Sequence, residues 1–287
     1  MLHPPLSIAR FFIRTIVFMG LCPFPGVSQI TSVVISSRYQ SMGNASVALR
    51  DEQALVSNPS GLMGVDKICF TLQSAWLYGV NDLKPLCFGA VIPNKSGTFG
   101  ILFNHLGFEN LKENILNLSY ARRFTDKLDA GIGLKYSNLR VNNYGSKGSI
   151  GFDIGFNTLI IKDLYIGFNA QNPIPTQSND ANNLANIPPT FSSSIFRLGL
   201  SYRVNHSVLV SSEVKKDLSY PAAFRLGLEY KPIEKMAFRG GFETLPVKIA
   251  FGWGYVVSNA LSIDMAVSSH SVLGVTPSLS INYFLKK

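Results

Sequence analysis

Five tyrosines close strand-like stretches of the chain, and this repeated pattern constrains the fold more than any other feature. The tyrosines are Tyr120, Tyr202, Tyr230, Tyr255 and Tyr283. In Leu226-Gly227-Leu228-Glu229-Tyr230, as in the other four stretches, every second residue is apolar, which places apolar side chains on one face of a β-strand. The last four tyrosines recur about every 25 to 28 residues, the length of a hairpin of two membrane strands. The pattern predicts an all-β, transmembrane antiparallel β-barrel with these tyrosines in a belt at one membrane interface.

Composition supports a membrane protein built from strands. Hydrophobic residues make up 46% of the 287 residues and charged residues only 15%, yet after residue 28 no run approaches the roughly 18 uninterrupted apolar residues of a spanning helix. The net charge is +9, but the cations are scattered rather than gathered on one helix or beside stacked aromatic residues. We therefore expect outer-membrane lipid as a partner and no nucleic acid.

The first 28 residues have the pattern of a secretory signal peptide. Arg10 and Arg14 accompany an apolar run, and Gly26-Val27-Ser28 supplies small residues where a signal peptidase would cleave. Cys22 follows Leu21 rather than a small residue, which argues against lipidation. We predict a cleaved signal peptide at 1–28, a short segment at 29–66 and the barrel at 67–287, in a bacterial outer membrane.

From about Ile68 to Leu285 the chain contains roughly fourteen alternating segments. Short connections alternate with a set expected to be longer, including 138–147 and the Asn/Pro-rich run 171–190. Short periplasmic turns and longer outer loops are typical of bacterial barrels. An even strand count places both ends of the barrel in the periplasm, and the tyrosine belt with them.

Charged residues of both signs fall on the inward phase of these strands. They include Lys135, Asp153, Arg197, Arg225, Glu229, Arg239, Glu243 and Asp264. Such a set could line a charged pore or bind a ligand, but mixed signs favour internal ion pairs that fill the barrel. We favour the ion-pair interpretation.

An enzymatic role has little support in the residues. A hydrolase would need a serine or cysteine nucleophile beside a histidine base, and no such pair with an acidic partner is evident around His105, His206 or His270. Cys69 and Cys87 are expected to lie too far apart for a disulfide and to act as small inward-facing fillers. No zinc-spaced Cys/His motif occurs, so we predict a non-enzymatic barrel without a cofactor.

The segment before the first strand carries a family resemblance. It contains Met42-Gly43, a short helix expected to be capped by Asp51 and ended by Asn58-Pro59, and the motif Asn58-Pro59-Ser60-Gly61. Followed by an alternating barrel, these motifs resemble the FadL-type outer-membrane proteins, and especially their PorV/PorQ-like branch in Bacteroidota. The resemblance implies that Met42, Gly43, Asn58, Pro59, Ser60 and Gly61 belong to a small N-terminal hatch folded inside the barrel.

This resemblance implies two different functions. PorV/PorQ-like proteins serve the type IX secretion system as membrane partners of translocon or cargo proteins, whereas FadL-type proteins transport hydrophobic small molecules. The density of charged lumen positions favours the first, because it suits a plugged barrel better than an apolar conduit. A structural accessory role in another outer-membrane complex is the third alternative.

Overall fold

The computed structural model of the protein describes residues 35–174, 191 and 193–285. The predicted signal peptide and residues 175–190 of the predicted outer loop lie outside the described residues. The described chain forms a closed barrel of fourteen antiparallel strands, in which sequence neighbours pair and β1 pairs with β14. This confirms the predicted fold class. The strands are β1 Cys69–Ala75, β2 Leu86–Asn94, β3 Gly97–Phe108, β4 Leu111–Arg123, β5 Leu128–Val141, β6 Gly145–Ile161, β7 Leu164–Gln171, β8 Ile195–Arg203, β9 Val208–Asp217, β10 Ala223–Ile233, β11 Met236–Thr244, β12 Val247–Ser258, β13 Leu261–His270 and β14 Gly274–Phe284.

The barrel is apolar outside and polar inside, the reverse of a water-soluble protein. On β5, Ile132 and Leu134 point outward and are 60% and 55% exposed, whereas the alternating positions Gly131 and Gly133 are buried. Buried polar side chains such as Asn104, and many others on the same phase of other strands, line the interior. Strand alternation thus presents an apolar surface to lipid while the closed ladder leaves no strand edge unpaired around the circle. No helix among the described residues is both long and apolar enough to cross a bilayer.

The connections differ from the expected asymmetry at one end. The end at which β1 begins and β14 ends is called the proximal end, and the opposite end is called the distal end. At the distal end, the stretch 138–147 was expected to be a long loop, but β5 continues to Val141 and β6 starts at Gly145. Its polar residues belong to strands, because inward positions of this barrel are polar and the hairpin needs only a tight turn with Asn143 and Gly145 at positive φ.

The five predicted belt tyrosines lie at one height. Each sits on an even-numbered strand within three residues of its last residue, at the proximal end. Tyr202, Tyr230, Tyr255 and Tyr283 are exposed on the outer face, and the hydroxyl of Tyr120 donates a hydrogen bond of 2.7 Å to the carbonyl of Ser96 in the adjacent turn. The predicted interfacial belt requires tyrosines at one height, and the location of these five at a membrane interface stays a prediction.

Replacing Tyr230 with alanine is expected to reduce the free energy of unfolding from lipid vesicles by about 1–2 kcal/mol, because the ring leaves an apolar environment. Tyr230→Phe keeps the ring and should lose much less. Urea-induced unfolding followed by tryptophan fluorescence measures both. Equal stability of the alanine variant and the wild type would contradict a membrane role for this ring.

Residues 35–66, here called the lumen segment, precede β1. They contain helix α1, Ser37–Ser41, and two 3-10 turns, Glu52–Val56 and Pro59–Gly64. The carboxylate of Asp51 caps the first 3-10 turn by accepting from the amide of Gln53 at 2.9 Å. Asn58-Pro59 was expected to end that helix. It instead starts the second turn, because the Asn58 side chain caps it and proline is favoured in a first helical turn.

Candidate functional site

The lumen segment lies inside the barrel. Its residues lie against inward-facing glycines on nine different strands. Only a position inside the barrel allows all of these contacts. The glycines are Gly89, Gly100, Gly131, Gly155, Gly167, Gly199, Gly227, Gly241 and Gly252. The segment runs from Ile35, which packs on Ala75 and Leu77 near the distal end, to Met63 near the proximal end. The barrel interior is therefore filled along most of its height.

The predicted hatch motif lies within this contact. Met42, Asn58 and Ser60 are completely buried, and Pro59 and Gly61 are buried beside them. Gly43 has φ of 62°, a conformation that favours glycine, and lies against the backbone of Phe242 in β11. The interpretation of this segment as a hatch that can move stays a prediction.

Asn58 joins the lumen segment to itself and to the wall. Its Oδ1 accepts from the amide of Ser60 at 3.2 Å and from the hydroxyl at 2.8 Å. Its Nδ2 donates to the carbonyl of Val47 at 2.7 Å and also reaches backbone carbonyls of Phe156 in β6 and Phe168 in β7. One buried amide thus holds two turns of the segment against two strands.

A first ionic cluster fixes the start of the segment to β10, β11 and β13. Arg38 forms ion pairs with Asp51 at 2.9 Å and with Glu229 at 3.2 Å. Arg239 in turn pairs with Glu229 at 2.7 Å and with Asp264 at 2.6 Å. Alternating signs along this chain compensate each charge where the interior excludes water.

A second cluster holds the middle of the segment. Glu213 on β9 accepts from the backbone amides of Ser46 at 2.9 Å and Val47 at 2.8 Å with one carboxylate oxygen. Its other oxygen pairs with Arg225 at 2.8 Å, and Arg225 also pairs with Glu243 at 2.7 Å. Glu213 is 1% exposed, so both its charge and its lone pairs are satisfied entirely by protein groups.

Further pairs lie along β4 to β8. Asp129 binds Arg50 of the segment at 2.5 Å and Arg123 at 2.9 Å. Lys135 and Asp153 pair within the wall at 2.5 Å. Arg197 has no carboxylate partner among the described residues; its guanidinium donates to the Ser57 carbonyl and hydroxyl of the segment and to Asn169.

All eight charged residues that the sequence analysis selected therefore point into the lumen, and seven form ion pairs. Residues of the lumen segment that complete these clusters, Arg38, Arg50 and Asp51, were not selected. The barrel-wall partners of the two arginines, Glu229 and Asp129, lie more than 70 residues away in sequence. Strand alternation alone therefore does not predict these contacts.

One part of the inner face of β1 to β4 is apolar. Cys69, Cys87, Val91, Leu102 and Ala121 are buried there against Ala54, Leu55 and Leu62 of the lumen segment. Both cysteines are free. Cys87 lies opposite Gln73 and Cys69 lies opposite Val91, so the two cysteines are four residues apart along the paired strands.

Gln53 joins the lumen segment to the seam at which the barrel closes. Its amide nitrogen donates to Asn282 on β14 at 2.7 Å, and its carbonyl oxygen accepts from Gln73 on β1 at 2.7 Å. One side chain of the segment thus contacts the first and the last strand.

An apolar groove of about 430 Å³ lies on the lipid-facing side of β3 to β6. Phe99, Leu118, Ile132, Leu134 and Phe152 line it. Ser119, Gly133 and Asp153 of the inner face also contribute to its lining, which is otherwise apolar and suits hydrocarbon rather than a polar ligand.

We expect Glu52 to make the stability of the lumen segment depend on pH. Burial, and then the negative charge of Asp51, raise the pKa of the Glu52 carboxyl to about 7. At pH values between the ordinary carboxylate pKa and 7, the folded protein therefore binds more protons than the unfolded chain does. Stability should therefore fall as pH rises through this window and level off above it. Thermal unfolding in detergent at pH 5 and pH 8 should show this slope, and Glu52→Gln should flatten it. An unchanged slope in Glu52→Gln would contradict the assignment. Asp51→Asn should destabilise at both pH values because it breaks the Arg38 pair, and it should also weaken the slope because the charge of Asp51 contributes to the raised pKa of Glu52.

The barrel fold is similar to that of solved outer-membrane transporters and of a FadL homologue. No protein-family model matches the sequence, and no curated protein matches it. The similarity to known proteins therefore rests on solved structures, and it shows the fold alone. The PorV/PorQ-like branch stays a prediction.

Three solved structures illustrate the likeness. The toluene transporter TbuX of Ralstonia pickettii matches with a TM-score of 0.65 at 16% identity, over 88% of this chain and 98% of that one. A FadL homologue of Pseudomonas aeruginosa matches with a TM-score of 0.64 at 12% identity, over 89% and 99%. The toluene transporter TodX of Pseudomonas putida matches with a TM-score of 0.60 at 13% identity, over 90% and 98%.

Proposed function

We propose that this chain is an outer-membrane channel for small hydrophobic molecules, with its proximal end in the periplasm and its lumen segment as the closing element. The observation that carries the proposal is the similarity of the whole barrel to transporters of that class, TbuX and TodX among them. An interior segment seated against nine strands, and an apolar groove on the outer wall, are consistent with it.

This proposal departs from the type IX interpretation favoured by the sequence. Dense lumen charge was the argument against an apolar conduit, but in the structure those charges fix the lumen segment to the wall rather than lining an open passage. The charge therefore does not distinguish a channel closed by its own segment from a barrel that only binds proteins.

Uptake of radiolabelled toluene tests the proposal. Cells that express the full chain should accumulate toluene faster than cells with an empty vector, at matched barrel levels on immunoblots. Equal rates would contradict the channel.

The second candidate function is that of a membrane partner for translocon or cargo proteins of the type IX secretion system. It is supported by the resemblance at Met42-Gly43 and 58–61. Deletion of the gene should then abolish secretion of type IX cargo and leave toluene uptake unchanged. The opposite pair of results would leave only the channel.

A further inference from the structure

The exposed cations of the barrel are unevenly distributed between its two ends. Among the described residues, eight exposed Lys or Arg lie at the proximal end and four at the distal end, with three and two exposed carboxylates respectively. The proximal set, here called the proximal rim, is Lys67, Lys95, Arg122, Arg123, Lys127, Lys162, Arg203 and Lys235. The excess positive charge at this end is too large to be balanced by its own carboxylates.

The proximal rim follows the circumference. Its members come from the chain just before β1, from the last residues of β4 and β8, and from the connections that follow β2, β4, β6 and β10. Within the described residues, only Arg123 forms an ion pair, with Asp129. The other seven have no carboxylate partner there. A ring of unpaired cations at one level matches a planar anionic surface better than one compact acidic patch.

The rim also lies at membrane level. On β4, Tyr120 of the aromatic belt, Arg122 and the exposed Phe124 that follows the strand occupy alternate positions, which places them on the same outward face. Arg122 is therefore about 7 Å beyond the tyrosine ring position along the strand. Long cationic side chains at that height extend from the apolar region to lipid phosphates.

We propose that the proximal rim binds the headgroups of anionic phospholipids in the membrane leaflet at that end. Phosphate oxygens accept hydrogen bonds from lysine and arginine, and each cation near an anionic membrane surface adds a favourable electrostatic contribution. This interaction is independent of what passes through the lumen.

Native mass spectrometry of the full-length protein in detergent tests the proposal. The probe is an equimolar mixture of dioleoyl phosphatidylglycerol and dioleoyl phosphatidylcholine, which differ in net charge but not in their chains. The wild type should retain phosphatidylglycerol at least about fivefold over phosphatidylcholine, with a preference that weakens as salt rises.

Two quadruple variants with the same change in net charge locate the effect. Lys95→Gln, Arg122→Gln, Lys127→Gln and Lys162→Gln together should lower the preference below about twofold. The control combines Lys84→Gln, Lys112→Gln, Arg140→Gln and Lys216→Gln, the four exposed distal cations, and should keep most of it. Only surface side chains change, and heat-modifiable migration on gels verifies that both variants fold.

Two results would overturn the proposal. One is equal retention of the two lipids by the wild type, whether or not the rim binds polyglutamate. The other is an equal loss of preference in the proximal and distal variants.

Discussion

Gly241→Ala is expected to displace the lumen segment and open the barrel to ions. An added Cβ at Gly241 would collide with the backbone of Met42 and Gly43, and backbone cannot move aside as a flexible side chain can. Overpacking of this kind costs about 1–3 kcal/mol, which would raise the displaced population about 5- to 150-fold. Current through planar bilayers containing the variant should rise relative to the wild type.

The adjacent glycine provides a matched control. At Gly240 an added Cβ would meet only the ring of Phe251, at 3.9 Å. Gly240→Ala makes the same chemical change one residue away on the lipid side, and its current should equal that of the wild type. If both variants conducted alike, the lumen segment would not be what closes the barrel.

Arg225→Met is expected to loosen the middle of the lumen segment and to destabilise the barrel by about 3–5 kcal/mol. The variant leaves the buried carboxylates of Glu213 and Glu243 without their shared cation. Hydrogen exchange measures the local effect, because the amides of Ser46 and Val47 that bind Glu213 should exchange faster. Urea unfolding measures the global effect.

Two comparisons identify the origin of this loss. Lys216→Met removes an exposed cation near the end of β9 and should change unfolding by less than about 0.5 kcal/mol. Combining Arg225→Met with Glu213→Gln and Glu243→Gln removes the uncompensated charges and should recover a large part of the stability. A triple variant no more stable than Arg225→Met would contradict an electrostatic cause.

Much of the barrel was predictable because alternation is a local property. The strand count, the closed antiparallel topology and the inward phase of Arg225 or Glu229 all follow from which residues occupy every second position. The stretch 138–147 was misjudged for a physical reason. In a barrel with a polar interior, inward positions such as Ser137 and Ser149 are polar too, so a polar run there does not indicate a loop.

The site was less predictable because its partners come from distant parts of the chain. Glu229 and Arg239 face each other across a hairpin, and their pairing follows from the register. The pairing of Arg38 with Glu229 requires the segment to fold back into the barrel, 191 residues away in sequence. Neither the alternation of residues along the strands nor the spacing of motifs in the sequence predicts that contact.

The hydrogen bonds of Gln53 have a consequence for the closure of the barrel. This side chain contacts Asn282 on the last strand and Gln73 on the first, so the inner hydrogen bonds of the seam are complete only when the lumen segment is already in place. Occupation of the lumen and closure of the sheet are therefore coupled, because the same side chain takes part in both.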